Sequence, residues 1–251
     1  MNLVLLFPDD FVAGEVGSAE AGSENGPGPG RQRARVRGRR LAHVRKIHRA
    51  AEGDSLCVGL LDGPVGRGLI RRLDRDWLEM DVLLDGAPPA ALPATLVLAL
   101  PRPPVLRRVL ISATSMGVKR IVLVNAEFVE KSFWQSGAMQ PDAIRDQLVL
   151  GLEQARDTVM PQVLARRRFR PFVEDELPAL VGAGQGFFAH PAAEPTNGRV
   201  AGEGLLAIGP ERGWNDYEIE RLEAAGLRPV SLGVRPLRVE SAVPALLGRL
   251  F

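Results

Sequence analysis

The chain has 251 residues, 45% hydrophobic and 25% charged, the composition of a globular protein with one large domain or two small ones. A single cysteine, Cys57, excludes a disulfide framework and a cysteine-based zinc site, and three histidines argue against a histidine-rich metal centre. No apolar run approaches the ~20 residues of a membrane helix. The opening segment lacks the basic start of a signal peptide. We therefore expect a cytoplasmic protein with no metal and no membrane contact.

Positive charge is concentrated in residues 31–49, which hold nine Lys/Arg and no acid. The whole chain has a formal charge of +2, so removing these nine charges leaves −7 for the rest. A basic stretch on an otherwise acidic chain is typical of nucleic-acid binding. Most of the basic residues are arginine. A GC-rich genome is one explanation for this bias, and recognition of phosphate by the guanidinium group is the other. Eight residues are predicted to bind RNA: Arg31, Arg33, Arg35, Arg37, Arg39, Arg40, Arg45 and Lys46.

The segment 1–85 shows the pattern of a small β-rich domain. A glycine-rich loop is predicted over 13–30 and a short helix over 39–51. Short apolar strands are predicted at 2–7, 55–63, 65–74 and 77–84. Short strands at close spacing favour a barrel, so we predict a first domain over 1–85, followed by a proline-rich linker.

Strands alternate with helices after the linker. Apolar strands are predicted at 95–101, 119–126, 185–191, 204–210 and 227–233, and helices at 105–117, 141–156, 215–226 and 243–251. In the helix over 215–226, Asn215 is the expected N-cap, Glu218 completes a capping box, and Gly226 ends the helix. Apolar strands alternating with helices indicate a parallel α/β sheet, so we predict a second domain over 92–251.

Three strands of this sheet end in loops rich in glycine and proline, at 189–191, 208–214 and 232–242. Ligands of open α/β sheets bind at the carboxyl ends of the strands, where glycine allows close backbone approach. Each loop alone is equally typical of an ordinary turn into a helix, but the three together favour a ligand site. The sequence contains no dinucleotide fingerprint, no P-loop and no nucleophile elbow.

Two motifs in these loops resemble those of the RsmE-type 16S rRNA uridine-N3 methyltransferases, members of the SPOUT (trefoil-knot) class. They are IGPERGWNDYEI at 208–219 and LGVRPLRVESA at 232–242, similar in order and spacing to the family's IGPEGG and LGxRxLRxETA. Weaker matches lie at 41–54, 115–124 and 152–161. The chain departs from the family pattern at Arg212, Val234, Pro236 and Ser241.

The resemblance implies the fold and the partners. It implies an α/β protein with a small N-terminal PUA-like, OB-type β-barrel that binds RNA, and a C-terminal α/β SPOUT domain with a trefoil knot. Knots are rare, and nothing in the residue pattern itself predicts one. The resemblance further implies S-adenosyl-L-methionine (SAM) as cofactor, small-subunit ribosomal RNA as substrate, and a homodimer.

The resemblance also gives the site residues a chemical interpretation. The predicted cofactor-binding residues are His190, Pro191, Ile208, Gly209, Pro210, Glu211, Gly213, Leu232, Gly233 and Leu237. Methylation of uracil N3 creates an imide anion, and Arg238 is the predicted catalytic cation that stabilises it. Glu240 is predicted to orient Arg238, because a carboxylate of ordinary pKa is a weak base for this proton. Two alternatives stay open: an RNA-binding or ribosome-assembly protein of the same fold without methylation, and a methyltransferase for another RNA position.

Overall fold

The computed structural model describes residues 2–16, 30–196 and 198–251. The chain divides into two compact units: unit 1 is Met1–Pro89 with Leu152–Met160, and unit 2 is Ala90–Gly151 with Pro161–Phe251. That 1–85 and 92–251 fold as separate domains stays a prediction. The loop predicted over 13–30 is wrong at its start, because Phe11–Val16 is a strand; residues 17–29 lie outside the described residues.

Unit 1 is built on one curled, six-stranded sheet. Its elements are β1 (Val4–Leu6), β2 (Phe11–Val16), β3 (Gln32–Val36), α1 (Gly38–His43), β4 (Ser55–Leu60), β5 (Val65–Leu73) and β6 (Leu78–Gly86). The strand order is β1-β4-β5-β6-β3-β2, with β1 parallel to β4 and every other pair antiparallel. The four predicted strands are confirmed, and β2 and β3 are additional. The helix predicted over 39–51 is α1 continued by one π-helical turn, Val44–His48.

The two faces of β3 explain why a basic segment can be a strand. Ala34 and Val36 point into the apolar core, while Arg33 and Arg35 alternate onto the other face. The register with β6 sets Arg33 opposite Asp81 and Arg35 opposite Glu79. These opposite charges form cross-strand ion pairs that stabilise the sheet.

The ion pairs of β3 and β6 are short and largely buried. Arg33 Nε lies 2.8 Å from Asp81 Oδ1, and Arg35 Nη2 lies 2.8 Å from Glu79 Oε2. Burial alone would raise the pKa of Glu79, but hydrogen bonds from Arg35 and Arg33 outweigh it and lower the pKa. The stability that Glu79 contributes is therefore present above its unfolded-state pKa and is lost as pH falls through the lowered value.

Residues 152–160 contribute to unit 1 although they lie far along the chain. The Glu153 carbonyl accepts hydrogen bonds from the N–H groups of Asn2 and Leu3, at 2.8 and 3.0 Å. The buried Glu153 carboxylate accepts from Arg39 Nη1 at 2.7 Å. The Thr158 carbonyl accepts from the Asp62 N–H at 2.9 Å. This segment therefore satisfies backbone groups at the start of β1 and in the turn between β4 and β5.

Unit 2 is a parallel sheet with connecting helices. Its elements are β7 (Ala94–Ala99), α2 (Pro103–Ser115), β8 (Arg120–Val124), α3 (Pro141–Ala155, its last turn in unit 1), β9 (Gln162–Arg166), α4 (Phe169–Pro171), α5 (Leu177–Val181), β10 (Gln185–Ala189), β11 (Gly204–Ile208), α6 (Asp216–Ala224), β12 (Leu227–Val230) and α7 (Val239–Leu250). The order is β12-β10-β11-β7-β8-β9, and every pair is parallel. All carboxyl ends therefore share one edge, which confirms the predicted parallel α/β half of the fold.

Three helix predictions in unit 2 are confirmed nearly as stated, and one is wrong at its start. The predicted capping box of α6 is present: Asn215 Oδ1 accepts from the Glu218 N–H at 2.8 Å, and Glu218 Oε2 accepts from the Asn215 N–H at 2.9 Å. The last helix begins at Val239 instead of 243, with Arg238 as its N-cap residue. This earlier start brings the first turn of α7 to the carboxyl edge of the sheet.

Candidate active site

A pocket opens where the loops after β10, β11 and β12 meet. Its lining combines these three loops with one face of α7. All ten predicted cofactor-binding residues line it: His190, Pro191, Ile208, Gly209, Pro210, Glu211, Gly213, Leu232, Gly233 and Leu237. The strands involved are neighbours in the sheet, so loops that lie far apart in the sequence converge there. Their role in cofactor binding stays a prediction.

Glycine is favoured at three points of the pocket wall, at two of them by a positive φ angle. Gly213 has φ +82° in a turn closed by its N–H bonding the Pro210 carbonyl at 2.8 Å, and Gly233 has φ +113°. L-residues rarely adopt these conformations. At Gly209, a Cβ atom would lie 3.2 Å from the Trp214 indole, so glycine allows the buried Trp214 to pack beneath the loop.

Hydrogen bonds tie the loops after β10 and β12 together. The buried Ser231 hydroxyl donates to the Ala193 carbonyl at 2.7 Å and accepts from the Gly233 N–H at 3.3 Å. The His190 N–H donates to the Val230 carbonyl at 2.9 Å, and His190 Nδ1 accepts from the Ala192 N–H at 3.3 Å. His190 therefore shapes the loop through its backbone and ring nitrogen.

The chemistry of the lining fits a nucleoside-containing cofactor. Ile208, Leu232, Leu237 and Leu246 provide apolar walls against which a flat base can pack. The glycine-rich turns bring backbone donors and acceptors to the same space. Glu211 is the only carboxylate in the described lining, and Arg102 Nε lies 3.5 Å from it. Apolar walls with few polar groups are the usual composition of such sites.

The two predicted catalytic residues flank the pocket. Arg238 lies between Leu237 and Val239, which both line the pocket, but the exposed Arg238 side chain is outside the lining. Glu240 Oε1 accepts a hydrogen bond from Arg108 Nη2 at 3.2 Å. This ion pair joins the first turn of α7 to α2, and the orientation of Arg238 by Glu240 stays a prediction.

Nine pocket residues are not among the ten named from the sequence, although six of the nine lie in the three predicted loops. The nine are Ala189, Arg212, Val230, Ser231, Arg235, Pro236, Val239, Ala242 and Leu246. Val239, Ala242 and Leu246 share one face of α7 at helical spacing, so an earlier helix start in the prediction would have found them. Ser231 carries no such signal, because its two hydrogen bonds depend on the folded loops.

Arg212 lies at the rim of this pocket against an aromatic ring. Its guanidinium carbon is 4.2 Å from the centroid of Phe128, in the loop after β8. That loop is held by the buried Glu218, whose Oε1 accepts the Glu127 N–H at 2.8 Å. The capping box of α6 thus also fixes the loop that carries Phe128.

In unit 1, the predicted RNA-binding residues fall into two groups. Four have carboxylate partners within the unit: Arg33 with Asp81 and Glu79, Arg35 with Glu79, Arg39 with Glu153, and Arg40 with Asp10. Arg33 has only 10% of its side chain exposed and forms cross-strand ion pairs, and its contact with RNA stays a prediction. Arg31, Arg37, Arg45 and Lys46 make no ion pair among the described residues, and Arg45 and Lys46 line a groove beside Arg75.

The described residues contain neither a metal-binding cluster nor a membrane-spanning helix. They contain no group of three or more His, Cys, Asp or Glu side chains that could hold a metal ion. No helix within those ranges is long and apolar enough to cross a membrane.

A parallel sheet with a glycine-lined pocket at its carboxyl edge is the architecture of the α/β methyltransferase class that the sequence motifs resemble. The chain belongs to the RNA methyltransferase domain family, whose family model matches residues 88–250. This confirms the family identified from the sequence.

Individual relatives match most of the chain. It is 29% identical over 212 residues to the ribosomal RNA small subunit methyltransferase E of Treponema pallidum, covering 82% of this chain and 80% of that protein. The Synechocystis protein of the same name is 25% identical over 214 residues, covering 84% and 70%. The crystal structure of the Neisseria gonorrhoeae protein of this name, bound to S-adenosyl methionine, is similar with a TM-score of 0.70 at 19% identity, covering 99% and 95%. This last likeness confirms the predicted fold class.

Proposed function

We propose that the protein is a SAM-dependent methyltransferase that methylates N3 of a uridine in 16S ribosomal RNA. The observation that carries this proposal is the convergence of ten predicted cofactor-binding residues, from three separate loops, on one pocket. The relatives named for methylation of small-subunit ribosomal RNA support the substrate class. The N3 position follows from the resemblance to RsmE-type enzymes.

The pocket residues would bind the cofactor and exclude water from it. When bound, SAM supplies a methyl group on an electrophilic sulfonium centre. Ile208, Leu237 and Leu246 line the pocket and would pack against the adenine, while the turns at Gly209 and Gly233 would offer backbone groups to its polar edge. A binding surface held rigid in this way aligns donor and acceptor, which supplies much of the rate of a bimolecular transfer.

Arg238 would act on the target base. Deprotonated uracil carries negative charge on N3 and its flanking carbonyl oxygens. Arg238 is the N-cap residue of α7 and lies between two pocket residues. Its side chain is exposed and makes no ion pair among the described residues. Its guanidinium can therefore bind the negative charge of the base. Glu240, bonded to Arg108, positions the first turn of α7 against α2.

The partners follow from the same proposal. Phosphates of ribosomal RNA would contact the unpaired basic residues Arg31, Arg37, Arg45 and Lys46, and the protein would act in the cytoplasm, where ribosomes assemble. We also propose a homodimer. It is supported by the apolar side chain of Val234 in the loop after β12, which is 92% exposed and which a second copy would cover.

Calorimetry with SAM and nucleoside analysis of ribosomal RNA test the function together. The wild-type protein is expected to bind SAM, and rRNA from a deletion strain is expected to lack 3-methyluridine. Gly233→Val should abolish SAM binding, because valine strains a backbone at φ +113°. Gly226→Val, at φ +89° outside the pocket, is the matched control and should keep SAM affinity. SAM binding without loss of 3-methyluridine would favour another RNA position; no SAM binding would favour an RNA-binding protein without methylation.

A further inference from the structure

Arg212 is an unpaired cation at the mouth of the pocket. It lines the pocket, its side chain is exposed, and it forms no ion pair among the residues that the structure describes. The neighbouring carboxylate, Glu211, faces Arg102 instead, with 3.5 Å between Glu211 Oε1 and Arg102 Nε. The positive charge of Arg212 is therefore left available to a ligand.

The guanidinium of Arg212 lies against an aromatic ring. Its central carbon is 4.2 Å from the centroid of the Phe128 ring, a cation–π contact that favours this position of the side chain. A guanidinium carries paired N–H donors at the spacing of phosphate oxygens.

The loop that carries Phe128 is held by a hydrogen bond to a buried carboxylate. The buried Glu218 carboxylate accepts the Glu127 N–H at 2.8 Å with one oxygen and the Asn215 N–H at 2.9 Å with the other. The Glu218 side chain thus joins the loop that carries Phe128 to the start of α6. Arg212 lies in the loop just before α6. A cation held this way loses little side-chain freedom on binding an anion.

We propose that Arg212 binds a phosphate of the target RNA strand, beside the nucleotide that enters the pocket, and that Phe128 is its positioning residue. This inference rests on the proposed function, because it assumes that RNA reaches this pocket. A phosphate and a deprotonated base both present an anionic oxygen that Arg212 could bind. Kinetic measurements distinguish these two ligands. A phosphate contact acts on RNA affinity, whereas a contact to the anionic base acts on kcat.

The experiment measures methylation kinetics and direct RNA binding for Arg212→Gln, Arg212→Lys and Phe128→Leu. Arg212→Gln should raise KM for RNA roughly tenfold, the effect of one charge-assisted hydrogen bond, with kcat and SAM affinity unchanged. It should also flatten the slope of log K against log salt by about 0.7. Arg212→Lys should keep the slope and recover only part of the affinity. Phe128→Leu should raise KM less, with the slope unchanged.

Arg228 provides the matched control. It also stacks on an aromatic ring, 5.2 Å from Phe187, and is exposed on unit 2 outside this pocket. Arg228→Gln should leave KM for RNA unchanged. Equal effects of Arg212→Gln and Arg228→Gln, or no effect of Arg212→Gln, would overturn the inference. A fall in kcat at constant KM would assign Arg212 to the base, and a loss of SAM affinity would assign it to the cofactor; both outcomes overturn the phosphate contact. Failure of the wild-type protein to bind SAM or methylate RNA is a separate result, which refutes the proposed function.

Discussion

The side chain at position 238 has what an anion-stabilising group needs: a fixed backbone and a free charged end. Its backbone is the N-cap of α7, with the Ser241 and Ala242 N–H groups bonded to the Arg238 carbonyl at 2.9 and 2.8 Å. Its guanidinium has no ion-pair partner among the described residues. Arg238 can therefore approach a base in the pocket without breaking an existing contact.

Replacing Arg238 with alanine should reduce kcat by about 10²–10³, as removal of one oxyanion donor does elsewhere. SAM affinity should stay within a few-fold of wild type, because the interaction forms mainly in the transition state. Single-turnover methylation and calorimetry measure the two quantities. Lysine should rescue only partly. Turnover within threefold of wild type would remove Arg238 from the catalytic set.

The basic run at 31–49 shows what the sequence can and cannot predict at this scale. Its positive charge is evident from the sequence, but the carboxylates that neutralise Arg33 and Arg35 lie much further along the chain, on β6. Pairing depends on the register between two strands, and the residue pattern does not predict β3 because polar residues outnumber apolar ones in it. Eight of the ten pocket residues are predictable because family motifs mark their loops, and His190 and Pro191 because they lie at the end of a predicted apolar strand.

At the level of elements, α6 does more than connect two strands. Its capping box satisfies its own first turn, and the same Glu218 carboxylate accepts the N–H of Glu127 in the loop after β8. A single buried acid thus holds two loops of the carboxyl edge in place.

Glu218→Gln should destabilise the protein by about 1–2 kcal/mol, because an amide can accept with only one oxygen and leaves one partly buried N–H without its acceptor. Chemical denaturation measures this change, and hydrogen exchange should accelerate at Glu127 and Phe128. Glu220→Gln, exposed on the same helix, is the control and should change stability by less than about 0.5 kcal/mol. Equal effects at both positions would show that Glu218 does not hold the loop.

Elements are predictable where a local signal exists. Continuous apolar runs predict β7, β8, β10, β11 and β12, and cap residues predict both ends of α6. The pattern does not predict β9 (QVLAR), because it is a short edge strand whose residues are mostly half-exposed. The predicted start of α7 is too late, because charged residues in its first turn obscure its apolar face.

For the molecule as a whole, RNA affinity should depend on the unpaired basic residues of unit 1. Replacing Arg31, Arg37, Arg45 and Lys46 with glutamine should weaken RNA binding and flatten the slope of log K against log salt by up to about 3. Fluorescence anisotropy at several salt concentrations measures this. The double variant Arg107→Gln/Arg228→Gln, on exposed positions of unit 2, gauges the effect of charge removal alone. A slope equal to that of the double variant would leave this surface without a role in RNA binding.

The overall architecture is predictable only in part from residue patterns. A β-rich first part and a parallel α/β second part follow from strand spacing and alternation, but the knotted class follows from the resemblance alone. Residue patterns are local, whereas a knot is a property of how the whole chain is threaded.

The contribution of residues 152–160 to unit 1 has a consequence for biosynthesis. The N–H groups of Asn2 and Leu3 have their acceptor far along the chain, at the Glu153 carbonyl. The nascent chain must therefore grow far beyond Pro89, the end of the first segment of unit 1, before that unit can close. Translation of the central stretch thus sets the earliest moment at which these hydrogen bonds of unit 1 can form.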